Sequence, residues 1–509
     1  MAGCLSKRPL DGPSAGIAKR PASNVTKAAS LREDATDSVL MKIMKRMLRK
    51  QKAADRAAFQ SNLTKRLSMA SACTGSGMAE VVHISAHEIY GLEAHSDFAC
   101  EKVGFKQEFY RKVVEPRMVQ AAAGTCHFDD IEQLGLDMSA CITHRRRCPR
   151  GSRPFFFSVG FSCKDLSILS DTFTSEQRAN ILAHGLGSSG RTFKGLMAYI
   201  WKRKPRVVVL ENVDALGDDG EDDSDIEEPN LSFIYSSLND AGYSVAHRVF
   251  VASNHGLPQR RRRIYIIAVL CVDFGLSMAE GRTLTKSMVD DASKLTVPKL
   301  PLASFILPSN HHLVQAELER SSLARRPLDK TATTFPALHR QFFKERGIRI
   351  KDLTVPVHVL GNAWFEALPC REKDIVLYVD KLRKARPSVC TVDSSQSIYR
   401  SPKGCSGVVQ TLTPGMHTWI YSDGEREINR AMLGFEAMTL QGFPSKWLEE
   451  AVDSDVASDP QLKDLAGNAF SATVFAAIYI VLMCKLPQQL VQNDQQQQPD
   501  IDTVMRLMS

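Results

Sequence analysis

The fold is decided by two runs, Arg153-Pro-Phe-Phe-Phe-Ser-Val-Gly-Phe-Ser-Cys163 and Lys204-Pro-Arg-Val-Val-Val-Leu-Glu-Asn-Val213. The first contains an apolar stretch of strand length that stops at Gly160, and Cys163 follows in a loop. The second is a β-branched run that ends on Glu211. A helical segment near residues 192–202 separates them, so we expect a parallel sheet with crossover helices. Ligands of such sheets bind at the carboxyl ends of the strands, where a thiol and an acid would meet one substrate.

The order and separation of these two motifs resemble the C5-cytosine DNA methyltransferase family, with its cysteine nucleophile loop and its Glu-Asn-Val signature. The family pattern around the nucleophile is Pro-Cys-Gln, whereas this chain reads Ser162-Cys163-Lys164. We expect Lys164 to favour the thiolate, because a cationic neighbour lowers the pKa of a thiol. The resemblance implies a doubly wound, mostly parallel Rossmann-like α/β sheet with a smaller target-recognition domain.

A turn of small residues, Ser71-Ala-Cys-Thr-Gly-Ser-Gly77, follows a short apolar stretch and lets the backbone approach a cofactor closely. Glu101 lies about 20 residues further on, where an acid binds ribose hydroxyls. Asp130 is suited to an adenine amino group. In the family this pattern is the S-adenosyl-L-methionine site. The resemblance assigns cofactor binding to Cys73, Gly75, Gly77, Glu101, Asp130, Ile131 and Asn468, with Cys73 in place of the usual Phe and Met78 in place of a third Gly.

Four consecutive arginines occur in Gln259-Arg-Arg-Arg-Arg263, which matches the family's Gln-x-Arg-x-Arg element. On an extended chain Arg261 and Arg263 share one face and Arg260 and Arg262 the other, so one pair can enter the site while the other meets solvent or backbone phosphate. The resemblance makes Cys163, Glu211, Arg261 and Arg263 the catalytic residues. In this scheme the thiolate of Cys163 adds to cytosine C6, Glu211 bonds N3, Arg263 pairs with O2, and Arg261 holds the Glu and the loop.

Two further family elements follow near the end of the chain. Arg430 and Glu436, six residues apart, resemble a pair that braces the small domain. Leu465-Ala-Gly-Asn468 precedes the apolar run 472–484, which in the family returns to the first domain. This run is too short to span a bilayer, for which about 18 residues are needed, so we expect a buried helix and no membrane association.

Composition and the family resemblance together predict five segments, of which the catalytic domain, the recognition domain and the return segment are what the resemblance implies. The boundaries are 1–66 for a flexible segment with a basic amphipathic helix, 67–270 for the catalytic domain with an acidic insertion at 218–229, 271–406 for the recognition domain, 407–486 for a return segment that completes both domains, and 487–509 for a disordered Gln-rich tail. The amphipathic helix, which Ser38 is placed to cap, suits nucleic acid, a membrane surface, a partner's groove or the protein's own body.

The twelve cysteines form no evident disulfide framework, which favours reduced thiols. Cys126, His127, Cys141, His144 and Cys148 can supply metal ligands, but their spacing matches no established pattern, so no metal site is predicted. The basic pairs Lys7-Arg8 and Lys19-Arg20 have the spacing of a two-part import signal, which favours the nucleus.

The net charge of +8 hides a more basic body, because the acidic insertion carries eight acids of its own. A basic body is compatible with a polyanionic partner but does not require one. The family resemblance implies cytosine-C5 methyl transfer, and we predict double-stranded DNA as its substrate. The recognition region holds many Lys and Arg, among them Arg325, Arg326, Arg340, Lys344, Arg346 and Arg349. Transfer RNA as substrate, and a catalytically impaired nucleic-acid-binding homologue, stay open as alternatives. An amino methyltransferase is disfavoured, because its Pro-Pro-aromatic motif is absent.

Overall fold

The computed structural model describes residues 31–65, 67–119, 124–149, 153–166, 173–217, 228–323, 334–349, 362–383, 389–399, 407–422 and 428–486. The predicted import signal, the acidic insertion up to residue 227, Arg325, Arg326 and the Gln-rich tail lie outside these residues.

The larger of the two sheets in the described residues has nine strands in the order β5-β4-β3-β2-β1-β6-β7-β9-β8. The strands are β1 (Met69–Ala72), β2 (Ser96–Cys100), β3 (Cys126–Phe128), β4 (Met138–Cys141), β5 (Arg146–Pro149), β6 (Phe156–Val159), β7 (Val207–Val213), β8 (Tyr243–Val251) and β9 (Arg262–Leu270). The five central strands are parallel, and antiparallel pairs close both ends. The predicted doubly wound, mostly parallel α/β sheet is therefore confirmed.

Helices cover both faces of this sheet and also occur in the other described segments of the chain. They are α1 (Val39–Lys50), α2 (Ala53–Thr64), α3 (Met78–Ile89), α4 (Gly104–Phe109), α5 (Ser175–Ala179), α6 (Ile181–His184), α7 (Gly187–Arg203), α8 (Pro229–Asp240), α9 (Met278–Lys294), α10 (His312–Leu323), α11 (Thr334–Glu345), α12 (Ala363–Glu366), α13 (Cys370–Arg383), α14 (Gly434–Thr439), α15 (Ser445–Asp453), α16 (Asp459–Asn468) and α17 (Ala472–Lys485). The helix predicted between the two deciding runs is α7.

Strands β6 and β7 lie side by side in the interior of the sheet, and every residue in both is buried. Burial on both faces explains why their sequences are nearly continuous apolar runs rather than alternating ones. They pair in parallel, with Val159 opposite Leu210. The loop after β6 and the end of β7 are therefore neighbours, as the sequence predicts for Cys163 and Glu211.

The N-terminal helices pack on the body of the protein. In α1 the side chains of Leu40, Ile43, Met47 and Leu48 are fully buried, and α1 contacts α3 and α17. Ser38 caps the helix, since its Oγ accepts from the N–H of Met41 at 3.2 Å. Residues 31–65 are thus not the flexible segment that composition predicted, because the apolar face of α1 is covered by the protein's own core.

A second, smaller sheet of three antiparallel strands is formed by β10 (Cys390–Asp393), β11 (Thr418–Ser422) and β12 (Ile428–Ala431). It joins a strand of the predicted recognition region, β10, to two strands of the predicted return segment, β11 and β12. The start of the recognition region differs from the prediction. Helix α9 packs against β8 and α17, so the catalytic unit continues past residue 270.

A buried ion pair joins β12 to α14. Arg430 and Glu436 make a bidentate contact, with Nη2 to Oε1 at 2.6 Å and Nη1 to Oε2 at 2.9 Å, and both side chains are almost fully buried. Both also bind the backbone of Leu307, through its carbonyl at 2.8 Å and its N–H at 2.8 Å. The predicted brace is confirmed, and it also fixes the segment that enters α10.

Helix α17 is buried along its length, from Ala472 to Met483, as predicted for this apolar run. Among the described helices, none alone has the length and apolar composition of a membrane span, although α16 and α17 meet that test together as a pair bent by 42°.

We expect Glu436→Ala to lower the free energy of unfolding by about 3–5 kcal/mol, because it leaves the Arg430 guanidinium buried without its counter-charge. Glu108→Ala is the matched control, since Glu108 pairs with Lys112 at 2.7 Å and both side chains are more than half exposed. Glu108→Ala should lower the free energy of unfolding by less than about 1 kcal/mol. Urea unfolding followed by fluorescence measures both. Equal costs for the two variants would show that the pair does not brace the fold.

Candidate active site

The loop that carries Cys163 follows β6 and is held on the N-terminus of α7. The N–H of Ser162 donates to Thr192 Oγ1 at 3.2 Å. Asp165 and Ser189 bond each other twice, since the Asp165 N–H donates to Ser189 Oγ at 3.1 Å and the Ser189 N–H donates to Asp165 Oδ2 at 2.8 Å. A carboxylate at this position is stabilised by the helix N-terminus. Cys163 is therefore presented on an anchored loop.

The thiol of Cys163 lies in the electrostatic field of the end of β7 and the start of β9. Burial and the negative charge of Glu211 raise its pKa, while the positive charges of Arg263 and Arg261 lower it. Lys164 is exposed at the surface. The predicted role of Lys164 in favouring the thiolate is thus taken by the two arginines, which approach from a different strand.

Glu211 is the last acid of β7 and is only 7% exposed. Arg263 lies beside it, with Nε 3.3 Å from Oε1. This neighbour follows from the antiparallel pairing of β7 with β9, in which Val213 is opposite Arg263. Burial raises the pKa of Glu211, and the two arginines act in the opposite direction. The carboxyl group is therefore poised to hold a proton more readily than an exposed Glu.

The four arginines alternate as predicted. Arg260 and Arg262 are exposed, Arg261 is buried, and Arg263 is half-buried. Arg262 forms an ion pair with Asp214 at 3.0 Å, on the outer side of the strand. The inner pair reaches the site, and the outer pair faces solvent.

Arg261 holds the return segment. Its Nη1 donates to the carbonyls of Leu412 and Gly467 at 3.2 Å each, and its Nη2 donates to that of Ala469 at 2.6 Å. The predicted hold on Glu211 is therefore corrected, because both terminal nitrogens are occupied by carbonyl oxygens. Burial, with Arg263 nearby, lowers the pKa of Arg261 to about 10. We regard Arg261 as a positioning residue.

The turn between β1 and α3 has the backbone that its glycines permit. Gly75 and Gly77 have φ of +57° and +71°, and Gly77 precedes the first turn of α3. A Cβ on Gly77 would lie 2.9 Å from the Tyr110 ring, so no larger residue fits there. Cys73 also has a positive φ, of +50°, and burial raises the pKa of its thiol, so it is a neutral lining group.

Both predicted cofactor acids lie beside this turn or at the next strand end. Glu101 Oε2 accepts from the Gly75 N–H at 2.8 Å, and its Oε1 accepts from the Val103 N–H at 2.9 Å. Oδ2 of Asp130 accepts a hydrogen bond from Nζ of Lys102 at 2.9 Å. Ile131, by contrast, is buried in the core beneath α7 and is a packing residue rather than a lining one.

A cleft opens between this turn, β6 and the start of α17. Cys73 and Asn468 line it, together with Ser76, Ser158 and Phe470. Asn468 is exposed, and its Nδ2 donates to the Asp464 carbonyl at 2.9 Å. The cleft reaches the catalytic loop through Gly160, where a Cβ would lie 2.6 Å from the Phe470 ring and 3.6 Å from Glu211 Oε2.

Some positioning residues are not identified by the sequence motifs. Asn212 Nδ2 donates to the carbonyl of Phe161 at 3.1 Å, which ties the catalytic loop to β7. Because Asn212 directly follows Glu211, its position in the sequence could have identified it as a positioning residue. Asp165, Thr192 and Phe470 had no such signal, because their partners lie in distant segments of the chain.

Four of the five potential metal ligands lie together. We name Cys126, Cys141, His144 and Cys148 the cysteine–histidine cluster, whose ligand atoms all lie within 4.8 Å of one another. His127 is not a member, since its ring packs edge-to-face on Tyr110. The absence of a metal site was predicted from the spacing of these residues along the chain. Strand pairing brings four of them together despite that spacing, so the spacing is no argument against a metal site.

Similar proteins include two fungal DNA (cytosine-5-)-methyltransferases named DMT5. The protein from Cryptococcus neoformans is 24% identical over 76% of this chain and 15% of its own length. The one from Verticillium dahliae is 22% identical over 59% of this chain and 13% of its length. The chain thus matches about a seventh of these proteins. The methyltransferase EhMeth of Entamoeba histolytica, a solved structure, is 12% identical over 82% of this chain and 98% of its own, with a TM-score of 0.40.

A bacterial relative, the type II methyltransferase M.MspI of a Moraxella species, is 24% identical over 39% of this chain and 46% of its own length. The family model described as C-5 cytosine-specific DNA methylase matches residues 156–483, from β6 to α17. This region contains Cys163, Glu211, Arg261, Arg263 and Asn468. Because the match covers more than half of the chain, the protein belongs to the C-5 cytosine-specific DNA methylase family.

Proposed function

We propose that this chain methylates C5 of cytosine in double-stranded DNA, with S-adenosyl-L-methionine as the methyl donor. The observation that carries the proposal is the convergence of Cys163, Glu211 and Arg263 at the ends of β6, β7 and β9. A nucleophile, an acid and a cation at one point suit addition to a pyrimidine ring. Family membership supports the same reaction.

The three side chains have complementary roles on the base. Cytosine C5 is a poor nucleophile until a thiolate adds to C6, which is the role of Cys163. Charge then develops toward N3 and O2 of the ring. Glu211, whose pKa is raised by burial, donates its proton toward N3, and Arg263 stabilises O2. Once the activated C5 has gained the methyl group, loss of the C5 proton and elimination of Cys163 complete the cycle. A stacked base hides C6, so the cytosine has to be flipped out.

The cleft beside the catalytic loop suits a nucleoside cofactor. Glu101 is buried and aimed at the glycine turn, where its oxygens can also accept ribose hydroxyls. In this proposal Asp130 would accept from an adenine amino group, and Asn468 lines the cleft. S-adenosyl-L-methionine held there would supply an electrophilic methyl group to C5. Cys73 and Met78 change the lining but leave these polar groups in place.

Exposed basic side chains support a polyanionic substrate. Arg340 and Lys344 on α11, with Arg346 just after it, are exposed, as are Arg260 and Arg262 near the site. Their contacts with phosphate would be independent of base sequence. The nuclear localisation remains a prediction, because the basic pairs behind it lie outside the described residues.

Covalent trapping tests the nucleophile. Duplex DNA with 5-fluorocytosine and S-adenosyl-L-methionine should form a denaturation-resistant adduct, because fluorine at C5 does not leave as a proton does. Cys163→Ser should form none while it binds the cofactor like wild type. Cys370→Ser is the matched control, since Cys370 is an exposed thiol on α13. An adduct in Cys163→Ser, detected by denaturing gel and mass spectrometry, would overturn the assignment.

The charges around Cys163 predict the pH dependence of its alkylation. Only the thiolate reacts with iodoacetamide, so the rate rises with pH through the pKa of the thiol. Glu211→Gln removes a negative charge that raises this pKa, so half-maximal rate should move to lower pH. Arg263→Gln should move it to higher pH, whereas Arg262→Gln, on the outer side, should leave it unchanged. Peptide mass spectrometry gives the rates, and shifts of the opposite sign would contradict the proposed electrostatics.

The choice of nucleic acid is tested by transfer of radiolabelled methyl groups to duplex DNA, single-stranded DNA and total transfer RNA. We expect label in duplex DNA, with affinity that falls steeply as salt rises, because phosphate contacts release counterions. Cys163→Ser is the control for each substrate. Label in transfer RNA but not in duplex DNA would replace this proposal by the RNA alternative.

A further inference from the structure

The cysteine–histidine cluster gathers around a single atom. Nδ1 of His144 lies 3.5 Å from Sγ of Cys126, 3.3 Å from Sγ of Cys141 and 3.4 Å from Sγ of Cys148. The first sulfur comes from β3, the second from the end of β4 and the third from β5. The histidine stands in the turn between β4 and β5. Three strands and one turn thus direct their ligand atoms to one point.

These distances fit the edges of a metal tetrahedron. With Zn–S of about 2.3 Å and Zn–N of about 2.05 Å, tetrahedral angles place sulfur and nitrogen about 3.6 Å apart. The three observed separations lie within 0.3 Å of that value. Three thiolates and one imidazole form one of the ligand sets of structural zinc sites. The soft sulfur ligands also disfavour calcium and magnesium, which bind oxygen.

Hydrogen bonding alone does not account for the arrangement. A ring nitrogen either donates or accepts one hydrogen bond, so Nδ1 of His144 cannot serve three sulfurs at once. The three cysteines are free rather than joined in disulfides. Cysteines that serve only as small apolar side chains would pack on apolar neighbours, not around an imidazole. An ion at the centre contacts all four ligand atoms.

The β4–β5 hairpin has little else to hold it. It forms one end of the large sheet, and β5 has only one buried residue, Cys148. Leu136 and Met138, the large apolar side chains before and at the start of β4, are 49% and 39% exposed. A hairpin with so little apolar burial would gain stability from a metal ion that links it to the neighbouring strand.

Local charge also suits a metal bound by three thiolates. Such a site carries a net charge of about −1, since three thiolates exceed the +2 of zinc. Three consecutive arginines, Arg145 to Arg147, are exposed on the same turn and strand. Their positive charges offset the site while solvent covers their other side.

We propose that the cysteine–histidine cluster binds one zinc ion as a closed structural site. The ion fastens the β4–β5 hairpin to β3. Strand β3 in turn supports the cofactor side, because the carbonyl of Phe128 accepts from the N–H of Glu101 at 3.0 Å, and Asp130 follows two residues later. Binding deprotonates the three thiols and releases their protons to solvent, with no change of oxidation state.

Metal content of the purified full chain tests the proposal directly. Protein produced with zinc under reducing conditions should contain about one zinc ion per chain by mass spectrometry of the metal. Cobalt(II) in its place should give thiolate-to-metal charge-transfer absorption and the visible bands of a tetrahedral site. Cys141→Ser/Cys148→Ser and His144→Ala should lose both signals. Cys370→Ser, which alters a thiol outside the cluster, should keep them.

A conservative variant separates loss of metal from loss of fold. His144→Cys creates a four-cysteine set, which zinc also accepts, and it should retain the ion and the melting temperature. A chelator should lower the melting temperature of wild type and of His144→Cys but not that of Cys141→Ser/Cys148→Ser. Wild type that takes up no zinc from excess Zn²⁺, or equal zinc in wild type and the double-serine variant, would overturn the proposal. These readouts are independent of methyl transfer.

Discussion

The buried guanidinium of Arg261 links the two halves of the site. A charge that is removed from water has to be satisfied by nearby groups, and here three carbonyl oxygens of the return segment do so. The approach is close, since a Cβ on Gly467 would lie 2.1 Å from the backbone nitrogen of Pro414. Arg261 therefore fixes Asn468 and the cofactor cleft relative to β9, which also carries Arg263 into the catalytic site.

At the candidate catalytic site, burial and nearby charges act in opposite directions on the pKa values of Cys163 and Glu211. Burial raises the pKa of both Cys163 and Glu211, which favours a neutral thiol and a protonated acid. The positive charges of Arg263 and Arg261 oppose burial at both groups. The proposed addition to a base needs a thiolate together with a protonated acid, so in that proposal the arginines favour the thiolate without removing the proton from Glu211. The position of Arg263, beside the acid, sets that balance.

The cofactor side depends on the same sheet but on different constraints. In the glycine turn after β1, the N–H of Gly75 donates to Oε2 of Glu101, which follows the end of β2. Strand β3 supports Glu101 in turn through Phe128. The proposed zinc ion would secure the outer hairpin against β3, so the stability of that edge and the placement of both cofactor acids would be coupled.

Local sequence determined the elements and the residues that follow them along the chain. Apolar runs that end at Gly160 and Glu211, alternation in the arginine run, and the cap at Ser38 all act over a few residues, where steric and hydrogen-bond preferences are strong. These features predicted β6, β7 and the start of β9, whereas the roles of Cys163, Glu211 and Arg263 come from the family resemblance of their motifs. The ion pair between Arg430 and Glu436 could also be predicted from the sequence, because only six residues separate the two.

Tertiary structure alone decided which distant segments meet. Arg261 bonds residues 151, 206 and 208 positions away, and spacing along the chain carries no information about such a contact. The covering of α1 by α3 and α17, and the burial of Ile131 beneath α7, depend on the same packing. The cysteine–histidine cluster is the clearest case: its spacing matched no pattern, because the ligands come from paired strands, and pairing rather than sequence interval sets the distance between their side chains.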